Sequence, residues 1–270
     1  MYQSEKRIKI KELWVPAAMI IEENLKDDAG LLRAEARHRL KEGKGIRVFS
    51  RPDRLKDWLE SEGLKIEDRE HLITGAGQLV PGFKKDSEGM EFFVHSPFST
   101  QSDGGIVDRN ESSLIFHILF TYKGNDTRFI LIGDTTCEIL TEIVNLTKLH
   151  KNKHRLMWDV FDTPHHCSYL ALNSEKGKEK TEPVQEVKWL LDQGQNKGIL
   201  VSCVKLGTVL DFTKPSGKKL NSKCCPHQSL PYHSFEPDKP GQKGPPCRQR
   251  LSRSKNLYRG NQSPRTLSQM

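Results

Sequence analysis

No apolar run in this 270-residue chain approaches the roughly 20 residues that a membrane helix needs. Its first stretch, MYQSEKRIKIKELW, lacks the apolar core of a signal peptide. Both absences point away from a membrane and towards the cytoplasm. Cysteine pairing is missing too. Cys137, Cys167, Cys203, Cys224, Cys225 and Cys247 form no C-x-x-C pair, so neither a disulfide framework nor a cysteine metal site is expected. There is no G-x-x-x-x-G-K-[ST], no G-x-G-x-x-G after a strand and no G-x-S-x-G. That removes the phosphate-cradling loops and the serine-hydrolase elbow. Among ten histidines there is no H-x-H.

An excess of positive charge is present, but it is local. The formal net charge is +8, yet from Thr213 to Met270 there are twelve Lys/Arg against two acidic residues, so the rest of the chain is slightly acidic. Eight of the fourteen prolines also follow Lys214. Such a segment buries too little apolar surface to offset its ordering entropy. The expected organisation is therefore a folded domain over 1–212 and a basic, Pro-rich, disordered tail over 213–270. A tail of that charge is either solvated or a sequence-independent contact for nucleic acid.

Within 1–212 the pattern alternates. IKIKELWV (8–15) reads as a strand, AAMIIEENLKDDAGLLRAEARHRLKEG (17–43) as a helix, IRVFS (46–50) as a strand, and PDRLKDWLESEG (52–63) as a helix opened by Pro52 and stopped by Gly63. Four short runs then suggest strands: GQLVPGF, GMEFFVHSP, SSLIFHILFTY and TRFILIG. The last two are joined as a hairpin through KGND. TCEILTEIVNLTKLH (136–150) and EPVQEVKWLLDQG read as helices, MWDVFD and KGILVSC as strands. The class is α/β, with mixed sheets and outer helices.

Two predicted strands end on chemistry. TRFILIGD places Asp134 at the exit of one, and MWDVFDTPHH places His165 and His166 at the exit of the next. Sites in α/β sheets gather outside the carboxyl ends of strands. A carboxylate and an imidazole both suit zinc. In an extended segment successive side chains point opposite ways, so one of the two histidines is expected to ligate and the other to face elsewhere. Among the remaining histidines, His117 reads as core-facing, His95 as a residue near the same sheet edge, and His71, His150 and His154 as surface residues. His227, in CCPHQSLPYH, is a weak further candidate.

The pieces NESSLIFHILF (110–120), RFILIGD (128–134) and DVFDTPHHCS (159–168), in this order, resemble the metallo-β-lactamase superfamily, in particular the hydrolase domain of ComEC-type DNA-uptake proteins. The resemblance covers about residues 8–205 and implies a partial αββα sandwich. It implies metal ligation by Asp134, as the carboxylate bridging two metals, and by His165 or His166. It also implies a role at the substrate for Ser168, and zinc or another divalent ion as cofactor. Cys167 stands where the family has glycine. The family's H-x-H-x-D-H motif is missing, so the chain reads as the later part of that fold.

Two ligands fall short of the three that a catalytic zinc normally takes. The expected function is thus a metal-dependent hydrolase of phosphodiester or other ester bonds, impaired unless a second chain or an upstream segment completes the site. The alternative is a non-catalytic remnant serving as a binding or structural module. Nucleic acid or another phosphodiester, met through the site or the basic tail, and a second chain completing the site are the candidate partners.

Overall fold

Leu13–Pro16 (β1) and Ile46–Phe49 (β2) pair in parallel, and Ile73–Thr74 (β3) continues the sheet on the far side of β2. In a computed structural model of the chain, residues 9–99, 112–202 and the strand 221–224 are described. Parallel neighbours need a crossover. Ala17–Ile21 (α1) and Asp27–Glu42 (α2) supply the first, and Asp53–Ser61 (α3) with the 3-10 turn Glu67–Leu72 supplies the second. Alternation sends Val15, Ile46 and Val48 to one face, where they pack with Ala17, Ile20, Ala36, Leu40, Leu55 and Leu59 of these helices. Trp14 and Phe49 leave by the other face.

The helix expected over 17–43 is two helices. The chain turns extended at Glu22, and Asn24 and Asp27 take positive φ of 61° and 51°. α1 ends there because α2 caps it: Arg37 and Arg33 donate to the carbonyls of Ile20 and Glu22 at 2.8 and 2.9 Å, satisfying carbonyls at a helix end. Gly30 makes room, since a β-carbon there would lie 2.8 Å from the Leu25 carbonyl oxygen.

The second sheet has six strands: Met90–Ser96 (β4), Ile115–Tyr122 (β5), Asn125–Leu131 (β6), Trp158–Asp162 (β7), Gly194–Ser202 (β8) and Asn221–Cys224 (β9), in that order. The first three are antiparallel neighbours, and β6 through β9 run parallel. The expected hairpin is present, and its turn is the two residues Lys123 and Gly124, with φ of 50° and 76°. After the short helix Lys85–Glu88 (α4), Cys137–Leu149 (α5) crosses from β6 to β7, and Gln185–Asp192 (α6) from β7 to β8.

The outer face of this sheet carries Ile115, Ile130, Trp158, Phe161 and Leu200, packed with Ile139, Leu140, Ile143 and Val144 of α5 and with Val187 and Leu190 of α6. The opposite face carries Phe92, Val94, Phe116, Ile118 and Phe129, which meet Trp14 and Phe49 of the smaller sheet. The result is a mixed α/β body with two facing sheets and helices on their far sides.

GQLVPGF, expected as a strand, is not one. Val80 donates to the Phe92 carbonyl and Val94 to the Gln78 carbonyl, both at 2.9 Å, and only Leu79 and Phe93 form a bridge. Pro81, which has no N–H, follows at once. β9 lies within the stretch expected to be disordered; the rest of 213–270, with His227, lies outside the described residues. No helix among the described residues is long and apolar enough to cross a membrane.

Candidate functional site at the ends of β6 and β7

β6 and β7 are parallel neighbours, with Phe129 opposite Val160 and Ile130 opposite Phe161. Their carboxyl ends therefore open on the same edge. Past β6, Ile132 is buried, and the chain turns through Gly133 to Asp134. A β-carbon on Gly133 would come within 3.3 Å of the Ser113 side chain. That closeness lets the Ser113 hydroxyl donate to the Asp134 carbonyl. Past β7, the His165 amide donates to the Gly133 carbonyl at 3.4 Å. The two exits are thus joined through backbone atoms.

This brings Asp134 and His166 together, Oδ1 to Nε2 at 3.2 Å. The side chains are 48% and 60% exposed, so water screens the pair and its contribution to stability is about 0–1 kcal/mol.

The histidine turn differs from the extended segment expected. His165, His166 and Cys167 all adopt left-handed backbone, with φ of 48°, 50° and 61°. The alternation argument for the two rings therefore does not hold, although His166 alone faces Asp134. His165 turns inward, and its Nδ1 is buried with no hydrogen-bond partner. Cys167 Sγ lies 3.2 Å from Thr163 Oγ1 and 2.9 Å from Ser202 Oγ. Ser168 Oγ accepts from the Leu170 amide at 3.3 Å and caps the short turn Tyr169–Ala171.

Left-handed geometry costs a residue with a β-carbon about 1 kcal/mol or more, and a β-branched one further still. Glycine at position 167 suits the backbone observed. Cys167→Gly is expected to be at least as stable as wild type, by up to about 1 kcal/mol, and Cys167→Val to lose about 1–2 kcal/mol. Urea denaturation of the two variants checks the order. Equal midpoints would show that the turn carries no such strain.

Sequence reasoning missed Asp162, the last residue of β7. Burial raises its carboxyl above the ordinary range, opposed by a backbone hydrogen bond from Ile132 and by the nearby His166. The only signal was its place, four residues before His166, at the end of an apolar run.

Carboxylate and imidazole are suitable zinc donors, but a catalytic zinc takes three protein ligands and a water. Among the described residues no group of three or more His, Cys, Asp or Glu side chains is arranged to hold an ion. Of the other histidines, His95 and His117 are buried, and His71, His150 and His154 are exposed.

No family model, curated protein or solved structure matches the chain. The reading of the site rests on its own residues.

Proposed function

We propose that this chain is a metallo-β-lactamase-like domain with an incomplete metal site. In this reading it is a metal-dependent hydrolase of phosphodiester or other ester bonds, impaired in isolation. One observation carries it: the 3.2 Å approach of Asp134 to His166 at the ends of adjacent parallel strands. These residues, 32 positions apart in sequence, are an oxygen and a nitrogen donor brought side by side where two parallel neighbours end. The facing sheets with helices outside them support an αββα sandwich, and Cys167 occupies a backbone position that suits the family's glycine.

The chain's own residues account for part of a site. Asp134 and His166 supply one oxygen and one nitrogen donor, and the Gly133 and His165 backbones keep them abreast. A divalent ion would supply Lewis-acid chemistry, and the further ligands would have to come from a second chain or another segment. The alternative is a non-catalytic remnant acting as a binding or structural module, favoured by the lack of a third donor among the described residues.

Purified protein dialysed against zinc or manganese is expected to retain far less than one metal per chain. It should hydrolyse a chromogenic phosphodiester no faster than buffer with the same metal. Near-stoichiometric metal, with turnover abolished by Asp134→Ala, would overturn the incompleteness and establish an active hydrolase. Metal retention unchanged by both Asp134→Ala and His166→Ala would remove the ligand assignment itself.

A further inference from the structure

The outer face of β4 and β5 buries a second polar cluster, separate from the strand-end site. His95 and His117 are 3% and 2% exposed. Phe93, opposite His117 in the sheet, stands edge-on to His95 with ring centroids 5.0 Å apart. The backbone of Arg155–Met157, leading from the turn Lys153–Leu156 into β7, reaches both rings. His95 Nε2 donates to the Arg155 carbonyl at 3.0 Å. His117 sits beside the Met157 backbone but outside hydrogen-bonding geometry, and neither of its nitrogens has a partner.

The charges around the pair come from four elements. Arg155, on the turn, pairs with Glu91 of β4 and lies 5.1 Å over the Phe93 ring. Arg128 of β6 acts on His117 and is itself paired with Asp159 of β7 at 3.4 Å.

Burial is the main force keeping both rings neutral. It pushes the His95 pKa down to about 4, with the Arg155 charge adding to the shift and the Arg155 carbonyl opposing it. For His117 burial acts first, then His95 and Arg155, and the pKa falls to about 3. Above the ordinary imidazole value of about 6.5, open and closed forms are both neutral and neither is favoured by pH. Below it, an exposed ring takes a proton that the buried ring refuses, so the closed form loses ground as pH falls from about 6.5 towards 4.

We propose that His95 and His117 form an acid-released latch, in which Arg155–Met157 closes over two neutral rings and detaches locally on acidification. The segment runs directly into β7, whose other end carries Asp162 and the His165–His166 turn. The latch stands whether or not that site binds metal.

Amide hydrogen exchange on the full chain at pH 7.5 and pH 5.0, corrected for intrinsic rates, tests the idea. The opening constant of residues 155–157 is expected to rise about 30-fold for each ring that becomes exposed. The amides of β2 should keep their protection. His117→Phe is expected to remove one such factor. A matching loss of protection in β2 would mean global acid unfolding and would overturn the latch, as would unchanged protection of 155–157 at pH 5.0. If the variant does not fold, the histidine ring signals of the wild type decide. They should titrate together with the opening, and titration near pH 6.5 with the segment still closed overturns the proposal.

Discussion

A Gly194→Val variant is expected to lose on the order of 3 kcal/mol of stability, through overpacking of a full core. A β-carbon at Gly194 would lie 2.5 Å from both Cη2 and Cζ2 of Trp158, and one at Gly198 would lie 2.7 Å from Cζ3. The indole of β7 thus lies across two glycines of β8. Trp158 is fully buried, and its Nε1 donates to the Leu190 carbonyl of α6 at 3.0 Å. The ring has nowhere to retreat without losing that hydrogen bond. Neither glycine has a positive φ, so space, not backbone freedom, selects it. Denaturant midpoints measure the loss. Shortening the indole in Gly194→Val/Trp158→Leu should recover part of it, so that the two costs do not add. Strict additivity would mean that the close approach is not the cause.

Trp14→Ala is expected to cost about 3 kcal/mol, near the lower end for a core indole because this side chain is only partly buried. Its ring centroid lies between 5.2 and 5.7 Å from those of Phe49, Phe83, Phe92 and Phe116. Phe49 belongs to the small sheet, and Phe92 and Phe116 to the large one. Removing the indole leaves a cavity where the two sheets meet. Trp14→Phe should cost clearly less, because an aromatic edge remains to fill the gap. Unfolding curves that leave Trp14→Ala within 1 kcal/mol of wild type would show that the sheets are held mainly by something else. Both variants should leave the Asp134–His166 contact intact, since they alter other layers of the structure.

The strand and helix order of the body was legible because each element carries its own periodicity. The β5–β6 hairpin was announced by Gly124, and α5 by its apolar spacing. The pairing of Asp134 with the histidine turn was legible for a related reason: a strand, a helix and a strand in succession make parallel neighbours whose exits share an edge. What escaped was whatever depends on partners distant in sequence. The break after Ile21 is made by arginines 11 to 17 residues downstream of the carbonyls they cap. β3 has two residues and no pattern of its own. The left-handed run His165–Cys167 contains no glycine to advertise it. Asp162 gained its interest only when burial was known.

The stitching of Gly133 to His165 runs through main-chain atoms, so it asks of position 165 a backbone amide and tolerance of left-handed geometry, not a particular side chain. Evolution, or an engineer, can therefore exchange the side chains presented at 134 and 166 without losing the spacing between them. Two such positions, held at a fixed separation on an open rim, make this edge a scaffold on which new donor pairs can be tried one residue at a time.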